Sequence, residues 1–169
     1  MVKALFLDRD GVINVDYGYV YQQERFIFID GIFDFCKAAC DLGYLLIVIT
    51  NQSGIARGYY SHDDFLNITQ YMKEVFVQHG IVLTDVFYCP DLSGFNRKPN
   101  EGLFLLAKEK YGLNMAQSVC VGDNERDIIA GIRAGCGKTF LFRHNFDEII
   151  HKMRGDVKTN EVFQSLKLS

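Results

Sequence analysis

The fold is decided by the stretch Ala4-Leu5-Phe6-Leu7-Asp8-Arg9-Asp10-Gly11, in which an apolar run ends abruptly at two carboxylates and a glycine. A brief apolar run with polar residues after it is typical of a buried strand. Comparable runs recur along the chain, and together they predict five strands, at residues 4–7, 44–50, 86–89, 118–121 and 139–142.

Longer amphipathic segments between these runs predict four helices, at residues 31–42, 62–78, 101–111 and 126–134. Ser61 is the predicted N-cap of the second helix, and Pro99 is expected to open the third. Strands alternating with helices predict an α/β fold, a Rossmann-like three-layer sandwich around a mostly parallel sheet. We expect a single domain over residues 1–169, with the tail at 156–169 adding a short strand and helix.

Composition narrows the classes of function. The net charge is −3, whereas a nucleic-acid-binding protein usually carries a basic excess, so we expect no nucleic-acid partner. No run approaches the roughly 18 apolar residues of a membrane span. The five cysteines are an odd number, mostly in apolar stretches, and are interpreted as reduced thiols of a cytoplasmic protein. We expect a monomer.

Polar clusters follow the predicted strands, and the first contains Asp8 and Asp10. Two crowded carboxylates repel each other, so a divalent cation is their natural partner; the alternative is an exposed polar turn. The second cluster is Thr50-Asn51-Gln52-Ser53-Gly54, whose hydroxyl, amide and backbone N–H groups can form an anion-binding nest. The alternative for this segment is a plain polar connector.

The third cluster, Arg97-Lys98-Pro99, precedes a predicted helix. A lysine beside the positive end of a helix suits an anionic ligand, although a solvated basic pair is the simpler interpretation. In the fourth cluster Asp123 follows a strand, and Asp127 lies one helical turn further on. Asp123 can point at a metal ion with Asp127 supporting it, or it can be an ordinary N-cap.

The order of these clusters resembles the motif series of the haloacid dehalogenase-like (HAD) phosphatases: Asp-x-Asp, Ser/Thr, Lys, then Gly-Asp-x-x-x-Asp, each at a strand end. The resemblance covers nearly the whole chain and implies a magnesium-dependent phosphomonoester hydrolase. Asp8 would then be the nucleophile that forms an aspartyl-phosphate. Asp10 would act as general acid and base, and Thr50 and Lys98 would hold the phosphoryl oxygens.

The same resemblance implies a Mg²⁺ site made of Asp8, the backbone carbonyl of Asp10, and Asp123, with Asp127 in support. It also implies a substrate-binding set of Asp16, Tyr17, Gly18, Tyr19, Asn51, Gln52, Ser53, Arg97 and Asn124.

Within the superfamily, the segments at residues 6–20, 50–58 and 97–99 are most similar to the D,D-heptose 1,7-bisphosphate phosphatases. Histidinol-phosphate phosphatases share most of these features. Both imply no large cap domain and a small phosphorylated substrate. The favoured substrate is D-glycero-D-manno-heptose 1,7-bisphosphate, losing its 7-phosphate. Histidinol phosphate, a polynucleotide 3′-phosphate and a non-catalytic phosphate-binding role are the alternatives.

Two departures from that branch bear on specificity. Related enzymes carry a zinc-binding loop, but here Asp91, Gly94 and Asn96 stand where further ligands would be, and only Cys89 remains. One thiolate and one carboxylate cannot close a four-ligand site, so we predict no structural zinc. Asn124 stands where the heptose enzymes often have a lysine, and it lacks the charge to hold a substrate phosphate.

Overall fold

The structure is a computed structural model that describes residues 1–155. Within this part of the chain, five parallel strands form one sheet in the order β3-β2-β1-β4-β5. The strands are β1 (Lys3–Leu7), β2 (Tyr44–Asn51), β3 (Asp85–Cys89), β4 (Val119–Gly122) and β5 (Lys138–Leu141). The helices are α1 (Ile32–Asp41), α2 (His62–Gln78), α3 (Gly102–Tyr111), α4 (Glu125–Arg133) and α5 (Phe146–Met153), with single 3₁₀ turns at Gln23–Arg25 and Met115–Gln117.

Both faces of the sheet are buried, because successive side chains of a strand point to opposite sides. In β1, Leu5 and Leu7 belong to a core shared with apolar residues of α1, α2 and α5. Ala4 and Phe6 face a second core with residues of α3 and α4, and the Phe6 ring lies 4.9 Å from that of Phe104. The predicted Rossmann-like three-layer α/β sandwich is therefore confirmed.

Strand β1 lies in the middle of the sheet, between β2 and β4. The chain runs outward from β1 to β2 and β3, then returns to place β4 on the other side. This reversal makes the carboxyl ends of β1 and β4 a topological switch point, where α/β sheets bind ligands. The clusters that contain Asp8, Thr50 and Asp123 lie at the carboxyl ends of β1, β2 and β4, at this edge of the sheet.

The predicted strands and helices are recovered, with every boundary within one residue of its prediction. Ser61 caps α2 as predicted, accepting from the Asp64 backbone N–H at 3.0 Å. The prediction that Pro99 opens the third helix is wrong. Helix α3 begins at Gly102 with Glu101 as its N-cap, because the intervening residues form a turn in which the Asn100 N–H bonds to the Arg97 carbonyl.

Helix α5 is missing from the sequence prediction, although its signals are present. Asn145 accepts from the Glu148 backbone N–H at 3.0 Å, and Phe146, Ile149, Ile150 and Met153 form one buried stripe. The predicted strand and helix at 156–169 lie outside the described residues. All five cysteines are free thiols, of which Cys36, Cys89 and Cys120 are buried, whereas Cys40 is exposed. No helix within residues 1–155 is long and apolar enough to cross a bilayer.

Candidate active site

Three carboxylates converge at the ends of β1 and β4. Each of Asp8, Asp123 and Asp127 contributes an oxygen, and these oxygens all lie within 4.8 Å of one another. Gly11 makes room for this cluster: a Cβ there would lie 2.0 Å from Asp123 Oδ2, and its φ of +91° also favours glycine. The turn after β1 therefore brings the backbone directly against the Asp123 carboxylate.

Lys98 is the cation of this cluster. Its Nζ donates to Asp8 Oδ1 at 2.9 Å, lies 2.7 Å from Asp127 Oδ1 and donates to the Ile49 carbonyl at 2.6 Å. The side chain is 3% exposed. Burial by itself lowers the pKa of a lysine, but Asp8 and Asp127 outweigh it and raise the pKa of Lys98. Contrary to the sequence interpretation, these carboxylates hold Lys98, and no helix N-terminus begins at Pro99.

Three carboxylates with one lysine leave an excess of negative charge in a nearly dry site. Burial raises the pKa of Asp8 well above its usual range, and Asp127 and Asp10 raise it further, while Lys98 opposes them. Burial likewise raises the pKa of Asp123. A divalent cation would favour the ionised form of both groups. The residues present therefore fit a hard metal ion with oxygen ligands.

The Asp10 side chain is held apart from this carboxylate cluster. Its Oδ1 accepts from Arg9 Nη2 at 2.8 Å and from Asn14 Nδ2 at 3.0 Å, while its Oδ2 accepts from Gln52 Nε2 at 3.1 Å. Arg9 is 1% exposed and also donates to the Val20 carbonyl at 2.6 Å. The Asp10 carboxylate therefore sits in a fixed orientation at the wall of the site.

The segment after β2 supports this wall. Gln52 Nε2 also donates to Thr50 Oγ1 at 2.8 Å, and the Tyr60 hydroxyl donates to Gln52 Oε1. Asn51 is used differently, because its amide forms a reciprocal pair with the Lys98 backbone, at 3.1 Å and 3.0 Å. Both amides were predicted to bind substrate, and the structure instead shows each of them bonded to protein groups.

These residues surround a cavity of about 320 Å³ at the sheet edge. It brings together twelve of the predicted site residues: Asp8, Asp10, Asp16, Gly18, Tyr19, Asn51, Gln52, Ser53, Arg97, Lys98, Asp123 and Asn124. Thr50 and Asp127 lie behind this lining and are buried. Tyr17 is the predicted residue that neither lines the cavity nor lies buried behind it, and its side chain is 54% exposed.

The cavity opens under the flap at residues 16–19. Gly18 and Tyr19 have positive φ, and the Gly18 N–H donates to Asp16 Oδ1 at 3.0 Å. The Tyr19 ring packs edge-on against Tyr59 at 4.8 Å, which joins the flap to the loop after β2. Across the opening, Arg97 Nη1 donates to the Asp91 carbonyl at 3.3 Å.

Comparisons with known proteins agree with this geometry. A family profile described as HAD-hydrolase-like matches residues 95–166. The chain is 49% identical, over 149 residues, to the D-glycero-alpha-D-manno-heptose-1,7-bisphosphate 7-phosphatase of Burkholderia mallei, with 82% of this chain and 79% of that protein covered. The chain belongs to the HAD-like phosphatases.

Two further relatives extend the comparison. The D-glycero-beta-D-manno-heptose-1,7-bisphosphate 7-phosphatase of Vibrio cholerae is 43% identical over 150 residues, covering 83% of this chain and 81% of that protein. A crystal structure of the D,D-heptose 1,7-bisphosphate phosphatase of B. bronchiseptica, complexed with magnesium and phosphate, superposes with a TM-score of 0.76 at 30% identity, covering 81% of this chain and 79% of that one. This chain is therefore a phosphatase with the HAD-like fold.

Asn124 has a structural task in this HAD-like phosphatase. It is the N-cap of α4, and its side chain accepts from the Arg126 backbone N–H at 3.1 Å. Asp127 completes the capping box, with its Oδ2 accepting from the Asn124 N–H at 3.1 Å. The alternative that made Asp123 the N-cap is wrong, and the Asp123 carboxylate is left for the acidic cluster.

Five residues of this site had no role predicted from the sequence. Arg9 and Asn14 hold Asp10, Tyr60 holds Gln52, and Arg57 and Arg126 line the cavity. Arg9, Asn14 and Arg57 lie inside the segments that carry the family resemblance, so their position was a usable signal. The role of Tyr60 depends on how the loop after β2 folds back on Gln52, for which the local sequence has no marker.

The loop after β3 contains the residues that stand where the zinc ligands of related enzymes are expected. Cys89 is the last residue of β3 and is buried, whereas Asp91, Gly94 and Asn96 are exposed. The absence of structural zinc stays a prediction from the donor set.

Proposed function

We propose that this HAD-like phosphatase hydrolyses D-glycero-D-manno-heptose 1,7-bisphosphate at its 7-phosphate, with Mg²⁺, through an aspartyl-phosphate on Asp8. The observation that carries the proposal is the convergence of Asp8, Lys98 and Asp123 from three chain segments at the floor of one cavity. The relatives support this substrate, since phosphatases named for either anomer of the bisphosphate match over most of this chain.

Asp8 is suited to attack phosphorus because it lines the cavity while Lys98 and the Arg9 backbone N–H fix its Oδ1. A carboxylate is a weak nucleophile, so positioning and neutralisation of charge supply most of the acceleration. We propose that Lys98 also contacts a phosphoryl oxygen in the transition state. Thr50 is assigned the same role from its place at the end of β2, although its hydroxyl lies behind the cavity lining.

Asp10 is suited to move protons, because it lines the cavity but is held away from the acidic cluster. It would protonate the departing oxygen of the sugar and then accept a proton from the water that attacks the aspartyl-phosphate. Such general acid–base catalysis typically contributes about 10²–10⁴-fold.

The Mg²⁺ would be held by Asp8, the backbone carbonyl of Asp10 and Asp123, with Asp127 in support. When bound, it neutralises charge on the phosphoryl group. This chain prepares the site by crowding three carboxylates around Lys98 and by placing Gly11 against Asp123.

The rim would bind the rest of the substrate. Arg97 offers a bidentate donor for the sugar or its second phosphate, while Asp16, Gly18, Tyr19 and Ser53 line the same opening. Asn51, Gln52 and Asn124 would act mainly by positioning other groups, since their side chains are already bonded within the protein. The monomeric state, the cytoplasmic location, the single domain over residues 1–169 and a substrate role for Tyr17 stay predictions from the sequence.

The test is phosphate release from a substrate panel. It contains both anomers of the heptose bisphosphate, histidinol phosphate and a 3′-phosphorylated oligonucleotide, each with Mg²⁺ and with EDTA. We expect the highest kcat/KM for a heptose bisphosphate and no turnover in EDTA. Preference for histidinol phosphate or the oligonucleotide would overturn the substrate assignment, and full activity in EDTA would overturn the metal assignment.

A further inference from the structure

The Gln52 amide is enclosed between three polar groups of the site. Gln52 is 3% exposed, and its Nε2 donates to Asp10 Oδ2 at 3.1 Å and to Thr50 Oγ1 at 2.8 Å. Its Oε1 accepts from the Tyr60 hydroxyl. An amide has two N–H donors, and here each has an acceptor, so Gln52 has no free donor for a substrate.

The orientation of this amide follows from its neighbours. A carboxylate accepts hydrogen bonds and repels a carbonyl oxygen, so the NH₂ group must face Asp10. The amide oxygen then faces Tyr60, which must donate. Burial raises the pKa of Tyr60 to about 12, and the hydroxyl therefore keeps its proton at neutral pH. Tyr60 therefore favours the amide orientation in which the Gln52 NH₂ group donates to Asp10.

The two oxygens of Asp10 are held unequally. Oδ1 accepts from both the Arg9 guanidinium and the Asn14 amide, whereas Oδ2 accepts from Gln52 alone. Oδ2 therefore has more capacity left for a further partner, because Oδ1 already accepts from two donors, one of them charged. The bond from Gln52 fixes the orientation of Oδ2 at the cavity.

We propose that Tyr60 and Gln52 are positioning residues that aim Asp10 Oδ2 at the leaving oxygen of the substrate. The inference rests on the proposed role of Asp10. In the first step an Asp8 oxygen bonds to phosphorus, the bond from phosphorus to the leaving oxygen breaks, and the Oδ2 proton moves to that oxygen. In the second step a water oxygen bonds to phosphorus, the Asp8–phosphorus bond breaks, and one water proton returns to Oδ2.

Packing against Tyr21 and Gly54 holds the ring of Tyr60 in place. Tyr60 is 6% exposed and its ring stacks on Tyr21 at 5.1 Å. Gly54 lies against it so closely that a Cβ would come within 2.2 Å of Tyr60 Cε1. The hydroxyl that orients Gln52 is therefore itself held by packing, which keeps the chain of contacts rigid.

The experiment measures kcat/KM on two kinds of substrate. An alkyl phosphate needs its leaving oxygen protonated, whereas 4-nitrophenyl phosphate releases an oxygen that is stable as an anion. Tyr60→Phe removes the hydroxyl and keeps the ring packing. We expect it to lower kcat/KM for glycerol phosphate or the heptose bisphosphate about tenfold, the value of one well-placed hydrogen bond, and to change that for the aryl ester less than about twofold.

Tyr59→Phe is the matched control, since Tyr59 lies in the same loop, is 54% exposed and does not line the cavity. It should leave kcat/KM unchanged for both kinds of substrate. Gln52→Met should reproduce the selective loss of Tyr60→Phe. An equal loss on both substrates, or none on either, would overturn the positioning role.

Asp10→Asn separates this inference from the proposed function. If Asp10→Asn selectively loses activity on alkyl phosphates and Tyr60→Phe does not, Asp10 is the general acid and the positioning inference is wrong. If Asp10→Asn retains activity on alkyl phosphates, the role of Asp10 in the proposed function is wrong, and the inference fails with it. Urea denaturation of each variant shows whether a loss reflects unfolding instead.

Discussion

The floor and the rim of this active site are built differently. At the floor, Asp8, Lys98 and Asp127 are at most 11% exposed, and Lys98 is paired with both carboxylates. At the rim, Arg57 and Arg126 are exposed, and within residues 1–155 neither side chain has a hydrogen bond or ion pair. Groups that are buried and already paired keep a fixed geometry, and catalysis depends on such preorganised groups. Unpaired exposed groups can be exchanged at little cost to the fold, so specificity can change at the rim alone.

The largest expected effect lies at the floor. Asp8→Asn keeps the shape of the side chain but removes the nucleophile, so kcat should fall by at least about four orders of magnitude. The circular dichroism spectrum and the melting temperature should show a folded protein. Asp41→Asn, at the exposed end of α1, is the control with the same chemical change and should be fully active. Substantial turnover by purified Asp8→Asn would show that Asp8 is not the nucleophile.

The second prediction concerns stability at the floor. Lys98→Met leaves Asp8 and Asp127 buried without their cation, and breaking a buried pair in this way costs about 3–5 kcal/mol. Activity should be lost as well. Denaturant unfolding in EDTA measures the cost, and added Mg²⁺ should recover part of it by binding the unpaired carboxylates. An unchanged unfolding midpoint would show that this ion pair adds little to the fold.

The third prediction is a pH dependence of stability without metal. Asp8 and Asp123 have a pKa raised above the ordinary 3.8, so the folded chain binds their protons more readily than the unfolded chain. Their contribution to the free energy of unfolding is complete below that ordinary value, and it is lost as pH rises through the folded pKa values. In EDTA, the free energy of unfolding should therefore fall as the pH rises from about 3.8 through the raised pKa values of the folded protein.

Denaturant unfolding at stepped pH tests this. Mg²⁺ favours the ionised carboxylates, so with Mg²⁺ the free energy of unfolding should depend less on pH. Asp8→Asn removes one of the titrating groups, so it should weaken the pH dependence in EDTA. A fall that is the same in EDTA, in Mg²⁺ and in Asp8→Asn would assign it to groups away from the floor.

The smallest effect is expected at the rim. Arg126 lines the cavity and can meet a second anionic group of the substrate. Arg126→Gln should raise KM for the bisphosphate about fivefold, in keeping with an exposed charge pair, and leave KM for a monophosphate and both kcat values nearly unchanged. Arg154→Gln, an exposed arginine after α5, is the control. A fall in kcat with both substrates would show that Arg126 acts in catalysis like the floor residues, and would contradict the proposed difference between floor and rim.

The two regions also differ in how well sequence reasoning described them. Asp8 and Asp123 were found because each follows an apolar run, and runs of that kind end at one edge of a parallel sheet. Lys98 was found from its place before a predicted helix and from the motif series of the family. The family resemblance also assigned Gln52 and Asn124 to the substrate. Their side chains are instead directed to Asp10 and to the start of α4, because loop conformation, which no periodic pattern encodes, decides which neighbour each amide meets.

The sequence by itself determined the sheet, four of the helices within residues 1–155, and the series of acidic, hydroxyl and ammonium groups at the strand ends. Apolar periodicity and burial control these features, and both are written locally in the chain. Only the tertiary structure decided that Lys98 is held by Asp8 and Asp127 instead of a helix end, and that Tyr60 reaches Gln52. Those choices depend on which charges and hydrogen-bond partners remain unsatisfied once distant segments pack, because a buried polar group must find a partner in the folded protein.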